Sequence, residues 1–404
     1  MSTDPASAAL STTPAETADP ELEQVRRARV WLARAAEPGS AAVVCYVARY
    51  GPVEAVRRIR SGQAPPAVTS CAAGRIADDL VDADLAVAVR GGIRPLIPED
   101  PDWPAAAFLP MEAATARGVP DLAPPLMLWV CGSLRLDELA DRAVAIVGAR
   151  TATAYGQHVA ADLAYRLSAQ GWTVVSGGAF GIDAAAHRGA LSAESPTIAV
   201  IAGGLQAPYP SGNARLFERI ADLGLLLSEW PPDCRPQRHR FLIRNRLIAG
   251  LVAGTVVVEA GARSGSRHTA RRSRELGRPV MVVPGPVTSA MSVGTHQMAR
   301  ESGARLVTNA AEVLEEVGRL GADLAPRPQG PTALEDTLDE VSRRVLDGVP
   351  VREPSAPESV AREAGVELTA VLRCLPALEV LGLVRCVRGG WQLTESGRWR
   401  GRAR

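Results

Sequence analysis

Between about Arg142 and residue 310 one pattern repeats: a short run of Val, Ile and Leu ends in Gly or Ser, and a helical stretch follows. "AVAIVGAR" turns at Gly148 before a helix from Tyr155 to Gln170. "TVVSGGAFGID" precedes a helix from Ala184 to Leu191, and "PTIAVIAGG", "LGLLLSE", "GTVVVEAG" and "RPVMVVPG" continue the series. These runs are apolar at nearly every position instead of alternating, the mark of strands covered on both faces. Such strands, separated by helices, form a mostly parallel sheet with helices on both faces, and its ligands sit at the carboxyl ends of the strands. The predicted class is α/β, and the strand-end turns are where chemistry is expected.

The rest of the 404 residues surrounds that sheet domain, placed at 142–318. Residues 1–24 read as an acidic tail: Asp4, Glu16, Asp19, Glu21 and Glu23 occur without a basic residue, and the basic start and apolar core of a secretory signal are missing. Residues 25–92 read as short helices separated by glycines, a small helical domain, and 93–141 as a proline-rich connecting segment. A linker at 319–335 leads to residues 336–395. There a helix ends at Gly365, a second spans about Glu367 to Leu378, and two short strands meet at Gly389 and Gly390, the order of a winged helix. Residues 396–404 form a basic tail. The second helix carries only Arg373 and contains Pro376, expected to kink it, so DNA reading and partner docking both stay open for this module. No apolar run is long enough to span a membrane. Six cysteines without a close pair suit reduced thiols in a cytoplasm and no metal site.

The chain holds 45 basic and 44 acidic residues, and every basic one is arginine. Chemistry that needs the chain's own lysine, such as a Schiff base or a phosphate-loop lysine, is thereby excluded. The near-neutral sum hides one segment. Residues 235–278 contain Arg235, Arg238, Arg240, Arg244, Arg246, Arg263, Arg267, Arg271, Arg272, Arg274 and Arg278 against Glu259 and Glu275, so eleven minus two gives a local charge of +9. Within it, "HRFLIRNRLIAG" interleaves Arg240, Arg244 and Arg246 with Phe241 and Asn245, a mixture suited to phosphate contacts and base stacking. A solvated, salt-bridged helix face is the alternative, and few acids lie nearby in sequence to support it.

The strand-end turns add further anion-binding chemistry. Arg150 follows Gly148 in a turn that is not a dinucleotide fingerprint, so no cofactor is expected. Ser176 and Gly177 open a second turn in which Phe180 offers a ring for stacking, and a third leads from Gly203 to Tyr209 and Asn213. Ser264, Gly265, Ser266 and Thr269 begin a helix able to receive an anion at its N-terminus. Four residues after Asp183 on one helix face, His187 suits a structural tie better than a catalytic base.

At these residues the chain resembles the DNA-processing protein A family (DprA/Smf). The matching blocks, in order, are "VAIVGAR" (144–150), "VVSGGAFGIDAAAH" (174–187), "IAVIAGGLQAPYPSGN" (198–213), "LLSEWPP" (226–232), "RFLIRNRLIAGL" (240–251), "VVVEAGARSGSRHTA" (256–270) and "PVMVVPG" (279–285). The resemblance implies an extended Rossmann-like domain between a helical N-terminal domain of SAM or helix-hairpin-helix type and a C-terminal winged helix. It further implies a homodimer without enzymatic activity that binds single-stranded DNA, protects it and helps load RecA during natural transformation. The pocket it implies comprises Arg150, Ser176, Gly177, Phe180, Asn213, Arg244 and Asn245, beside a basic surface to which Arg240, Arg246, Ser264, Gly265, Ser266 and Arg267 belong. An alternative reading is a nucleotide phosphoribohydrolase on a related scaffold, with Arg150 holding phosphate and Glu259 activating water. That family's "PGGxGT" turn is not matched by "VPGPVTS" (283–289).

Overall fold

The computed structural model describes residues 19–72, 79–301, 303–318, 323–325 and 338–395. Two compact units, 1–325 and 326–404, divide the chain. The basic tail, residues 1–18 of the acidic tail and most of the linker lie outside the described residues.

Five helices open the first unit: α1 (Pro20–Ala35), α2 (Ala41–Tyr50), α3 (Pro52–Arg60), α4 (Pro66–Ala72) and α5 (Val81–Arg90). Residues 20–24, expected in the tail, start α1 instead. The Asp19 carboxylate accepts from Glu21 N at 3.0 Å, Pro20 takes the first helical position, and Glu21 and Glu23 sit at the positive helix end. Asp19, Glu21 and Glu23, which read as part of a tail, are therefore a helix-start signature. The helices bury Trp31, Leu32, Val43 and Val47 in one core with Trp129, Ile201, Phe217 and Leu226 of the sheet side.

The connecting segment holds β1 (Ile93–Leu96), α6 (Ala105–Ala116), β2 (Leu128–Cys131) and α7 (Leu136–Asp141). It does more than connect, because β1 and β2 extend the sheet as antiparallel strands beside β6. Then follow β3 (Ala143–Val147), α8 (Ala154–Ala169), β4 (Thr173–Ser176), α9 (Ile182–Ser192), β5 (Thr197–Val200), α10 (Ala214–Leu223), β6 (Leu225–Ser228), α11 (Arg238–Gly250), β7 (Gly254–Val257), α12 (Ser266–Glu275), β8 (Val280–Val282), α13 (Val293–Arg300), β9 (Ala304–Leu306) and α14 (Ala310–Val317). The strand order is β1-β2-β6-β5-β4-β3-β7-β8-β9, parallel from β6 to β9. Leu163, Ile182 and Val313 of α8, α9 and α14 cover one face against Val144, Ile146 and Val174. Leu247, Ile248 and Ala270 of α11 and α12 cover the other against Ala145, Val147 and Val257. This is the Rossmann-like sheet with helices on both faces. From β3 the chain runs outward through β4, β5 and β6, then returns to lay β7 on the other side. The loops after β3 and β7 therefore diverge and open a crevice at the strands' carboxyl ends.

The second unit contains α15 (Glu340–Asp347), α16 (Pro357–Ala364), α17 (Leu368–Val380) and a hairpin of β10 (Val384–Val387) and β11 (Gly390–Leu393), the winged-helix order. Helix α17 runs through Pro376 to Val380. Val371, Leu375 and Leu378 are buried with Val345, Leu346 and Val360, and that packing outweighs the one backbone bond a proline removes.

Candidate nucleic-acid interface

A cleft of about 920 Å³ lies at the β3/β7 crevice. Its floor is the turn from Gly148 to Thr151, its far wall the start of α12 at Ser264, Gly265 and Ser266, and its side wall α11. Phe241 of α11 projects among Arg150, whose guanidinium carbon stands 4.8 Å from the ring centre, and Tyr209, whose ring meets it edge-on at 5.9 Å. Arg150, Arg238 and Arg263 line the cleft and are exposed. Among the described residues none of the three is bonded to a carboxylate. The cleft thus offers three unneutralised guanidiniums, a half-exposed aromatic pair and a helix N-terminus without an acid in its first turn. Such a wall holds phosphates and stacked rings.

Under the cleft the polar groups hold one another. The Arg244 side chain is buried and donates to Gly177 O at 2.8 Å, to Val200 O, and to Asn245 Oδ1 at 3.3 Å. It therefore ties the ends of β4 and β5 together. Burial lowers its pKa to about 10, with the nearby Asp183 charge opposing the fall and Arg150 adding to it. Asp183 is buried too. Burial raises its pKa, against the pull of Arg244 and of the Ala179 and Gly177 N–H groups it accepts from. His187 donates Nδ1–H to the Thr197 hydroxyl (2.9 Å), whose own proton goes to Val174 O at 2.6 Å. Burial, then Arg244 and Arg188, lowers the imidazole to about 3.

Glu259 is 2 % exposed. Its carboxylate accepts from Thr153 N at 2.9 Å and from Thr153 Oγ1 at 2.5 Å. A Cβ at position 156 would collide with it, so glycine there is a requirement of this clamp. Both oxygens are engaged by Thr153, which fixes the N-cap of α8 and the turn that bears Arg150.

The structure brings Arg150, Arg244, Asn245, Ser264, Gly265 and Ser266 together around the cleft. Ser176 lies beneath it and donates to Ile146 O at 2.6 Å, beside Gly177, whose carbonyl Arg244 holds. Asn213 is buried and donates to Gly178 O at 3.0 Å, so it shapes the second turn. Phe180 is 48 % exposed and packs near Gly212, outside the cleft lining. Arg240 turns to Glu37, Arg246 to Glu229 at 2.5 Å, and Arg267 to Gln297 and Glu301.

The +9 segment is accordingly not a +9 surface. Arg271 pairs with Glu275, Arg272 with Glu275 and Asp121, and Arg274 with Glu301, while the half-buried Arg278 donates to Ala107 O. The acids missing from the segment come from elsewhere in the chain. Sequence reasoning passed over Arg238, Arg263, Tyr209 and Phe241 as a set. Helical geometry supplied one usable signal: residues two apart on a helix point about 200° apart, so Arg244 and Arg246 had to face opposite ways.

Among the described residues no helix is long and apolar enough to cross a membrane. A family profile described as DNA recombination-mediator protein A matches residues 95–318. A DprA-type DNA processing protein of Mycobacterium tuberculosis is 46 % identical over 376 residues, 93 % of this chain and 96 % of that protein. DNA processing protein DprA of Bacillus subtilis is 39 % identical over 194 residues, 48 % of this chain and 65 % of that protein. The X-ray structure of DNA processing protein A from Streptococcus pneumoniae aligns with a TM-score of 0.57 at 29 % identity, over 74 % of this chain and 98 % of that one.

Proposed function

Because this chain belongs to the DNA recombination-mediator protein A (DprA/Smf) family of DNA-binding and DNA-processing proteins, we propose that its cleft binds single-stranded DNA without sequence preference. In this reading the protein is a non-enzymatic cytoplasmic homodimer that protects the strand and helps load RecA onto it during natural transformation. The observation that carries the proposal is the pairing, at one strand-end crevice, of the Phe241–Tyr209 ring pair with Arg150, Arg238 and Arg263. Rings accept any unpaired base, and guanidiniums hold phosphate without reading base edges. A duplex offers neither an unstacked base nor a single backbone to such a cleft.

The test is a titration of an unstructured labelled oligonucleotide, and of the same sequence as a duplex, across a range of salt. The single strand is expected to bind more tightly. Three phosphate contacts at about −0.7 each give a slope of log K against log salt of about −2. Arg238→Ala and Arg263→Ala each make it shallower by about 0.7. A flat salt response, or equal affinity for the duplex, overturns the proposal. RecA loading is tested separately, by whether the protein speeds RecA assembly on a covered strand.

A further inference from the structure

The loop between α1 and α2 reaches across to the cleft helix. Glu37 Oε1 accepts from Trp230 Nε1 and from Arg240 Nε, each at 3.3 Å, and stands 3.4 Å from His239 Nε2. The Arg240 guanidinium in turn lies 5.6 Å from the centre of the Trp230 ring. Two residues on, Gly39 (φ +90°) lies so close to Arg246 that a Cβ there would stand 3.0 Å from Nε. Arg240 and Arg246 stand nearly two turns apart on α11, so one short loop meets the helix at two points. Arg34, bonded to Asp84 and 3.3 Å from Asp233, ties the end of α1 to the segment that leads into α11. The first turn of α11 carries Arg238, His239 and Phe241, which line the cleft.

Core packing does not explain Glu37. Its side chain is 28 % exposed, yet Trp230 and Arg240 both donate to it and His239 Nε2 stands beside it. Without the carboxylate, the buried Arg240 guanidinium keeps its bonds to Cys234 Sγ and Arg235 O but loses its charged partner, and the first turn of α11 loses its link to the N-terminal helices.

We infer that Glu37 is a positioning residue for the cleft, holding the α11 turn that presents Phe241 and Arg238, so that the N-terminal helices are a working part of strand binding. The inference rests on the strand-binding reading above. Full-length wild type, Glu37→Ala, Glu37→Gln and Phe241→Ala are compared for affinity to an unstructured oligonucleotide, for salt slope and for melting temperature. Glu37→Ala is expected to weaken binding about tenfold, the scale of one lost base stack, and to make the slope shallower by about 0.7 as the Arg238 contact is lost. Glu37→Gln keeps a carbonyl oxygen for Trp230 and Arg240 and is expected to stay within about threefold of wild type.

A purely structural role would lower the melting temperature of Glu37→Ala while leaving affinity and slope as in wild type, and that result overturns the inference. If Glu37→Ala does not fold, Glu37→Asp, which draws the carboxylate back by about 1.5 Å, is read by the same criteria. Should Phe241→Ala also bind like wild type, the strand-binding reading itself fails. If Phe241→Ala weakens binding and the Glu37 variants do not, only the role of Glu37 falls.

Discussion

Replacing Arg244 by alanine separates a ligand-binding arginine from a load-carrying one. In the structure its guanidinium donates to Gly177 O and Val200 O and lies near the buried Asp183 carboxylate. Arg244→Ala leaves two strand-end carbonyls without a charged donor, at about 1.5–3 kcal/mol each. It also leaves a buried carboxylate without its cation, a change worth about 3–5 kcal/mol. These costs overlap because they concern one side chain, so about 4 kcal/mol is the expected total, a large fraction of the roughly 5–15 kcal/mol that holds a domain folded. Urea unfolding at pH 7 measures it, and the melting temperature should fall by about 8–16 °C.

Adding Asp183→Asn to Arg244→Ala removes the orphaned charge and should recover about 1–2 kcal/mol, a coupling that an exposed phosphate-binding arginine would not show. Strand affinity is then measured at a temperature where the variant is folded. If Arg244→Ala melts within a degree or two of wild type and still loses DNA, the guanidinium reaches the ligand directly and the strut assignment is refuted.

Two further perturbations probe the groups around this frame. His187 has a native pKa of about 3 against 6.5 for the unfolded chain, so between those values the unfolded state takes up a proton that the native state refuses. Its contribution is complete above pH 6.5 and is lost on acidification, by up to about 1.4 kcal/mol per pH unit; the raised carboxyls of Asp183 and Glu229 act in the opposite sense. His187→Asn keeps an N–H for Thr197, so the gap between its urea midpoints at pH 7 and pH 5 should shrink relative to wild type, and an unchanged gap refutes the assignment. For Glu259, release of base from nucleoside monophosphates by wild type should stay at background, and Glu259→Gln should lower stability by about 1 kcal/mol through the Thr153 clamp. Turnover that disappears in Glu259→Gln would restore the hydrolase reading.

The six inner strands were legible because each is covered on both faces, so nearly every residue of "VAIV" or "TVVV" has to be apolar. By contrast, β1 and β2 were hidden. One contains Pro95, and β2 pairs with β6, almost a hundred positions away in the chain. The glycine turns of the site were legible as well, since close backbone approach demands that residue type. What a linear reading could not supply was the direction of each guanidinium. The carboxylates that neutralise Arg240, Arg246 and Arg267 are Glu37, Glu229 and Glu301, none within four positions of its arginine, so a charge count over a window overstates the exposed field.

In a chain without lysine, arginine serves both as ligand and as strut, and whether its donors are already engaged inside the fold distinguishes the two. A guanidinium has five N–H donors in a fixed fork. Where folding has already turned several of them inward onto protein acceptors, as in Arg240, Arg244 and Arg246, a phosphate would have to break those bonds before it could bind. Arg150, Arg238 and Arg263 keep theirs, and they stand at the cleft rim in three different loops or helix starts. The buried arginines fix the distances between those elements, and the exposed ones use them. Substitution of Arg244 or Arg246 should therefore register mainly in unfolding, and substitution in the second group mainly in salt slope. A rim arginine whose loss melted the protein without altering the slope would break that division.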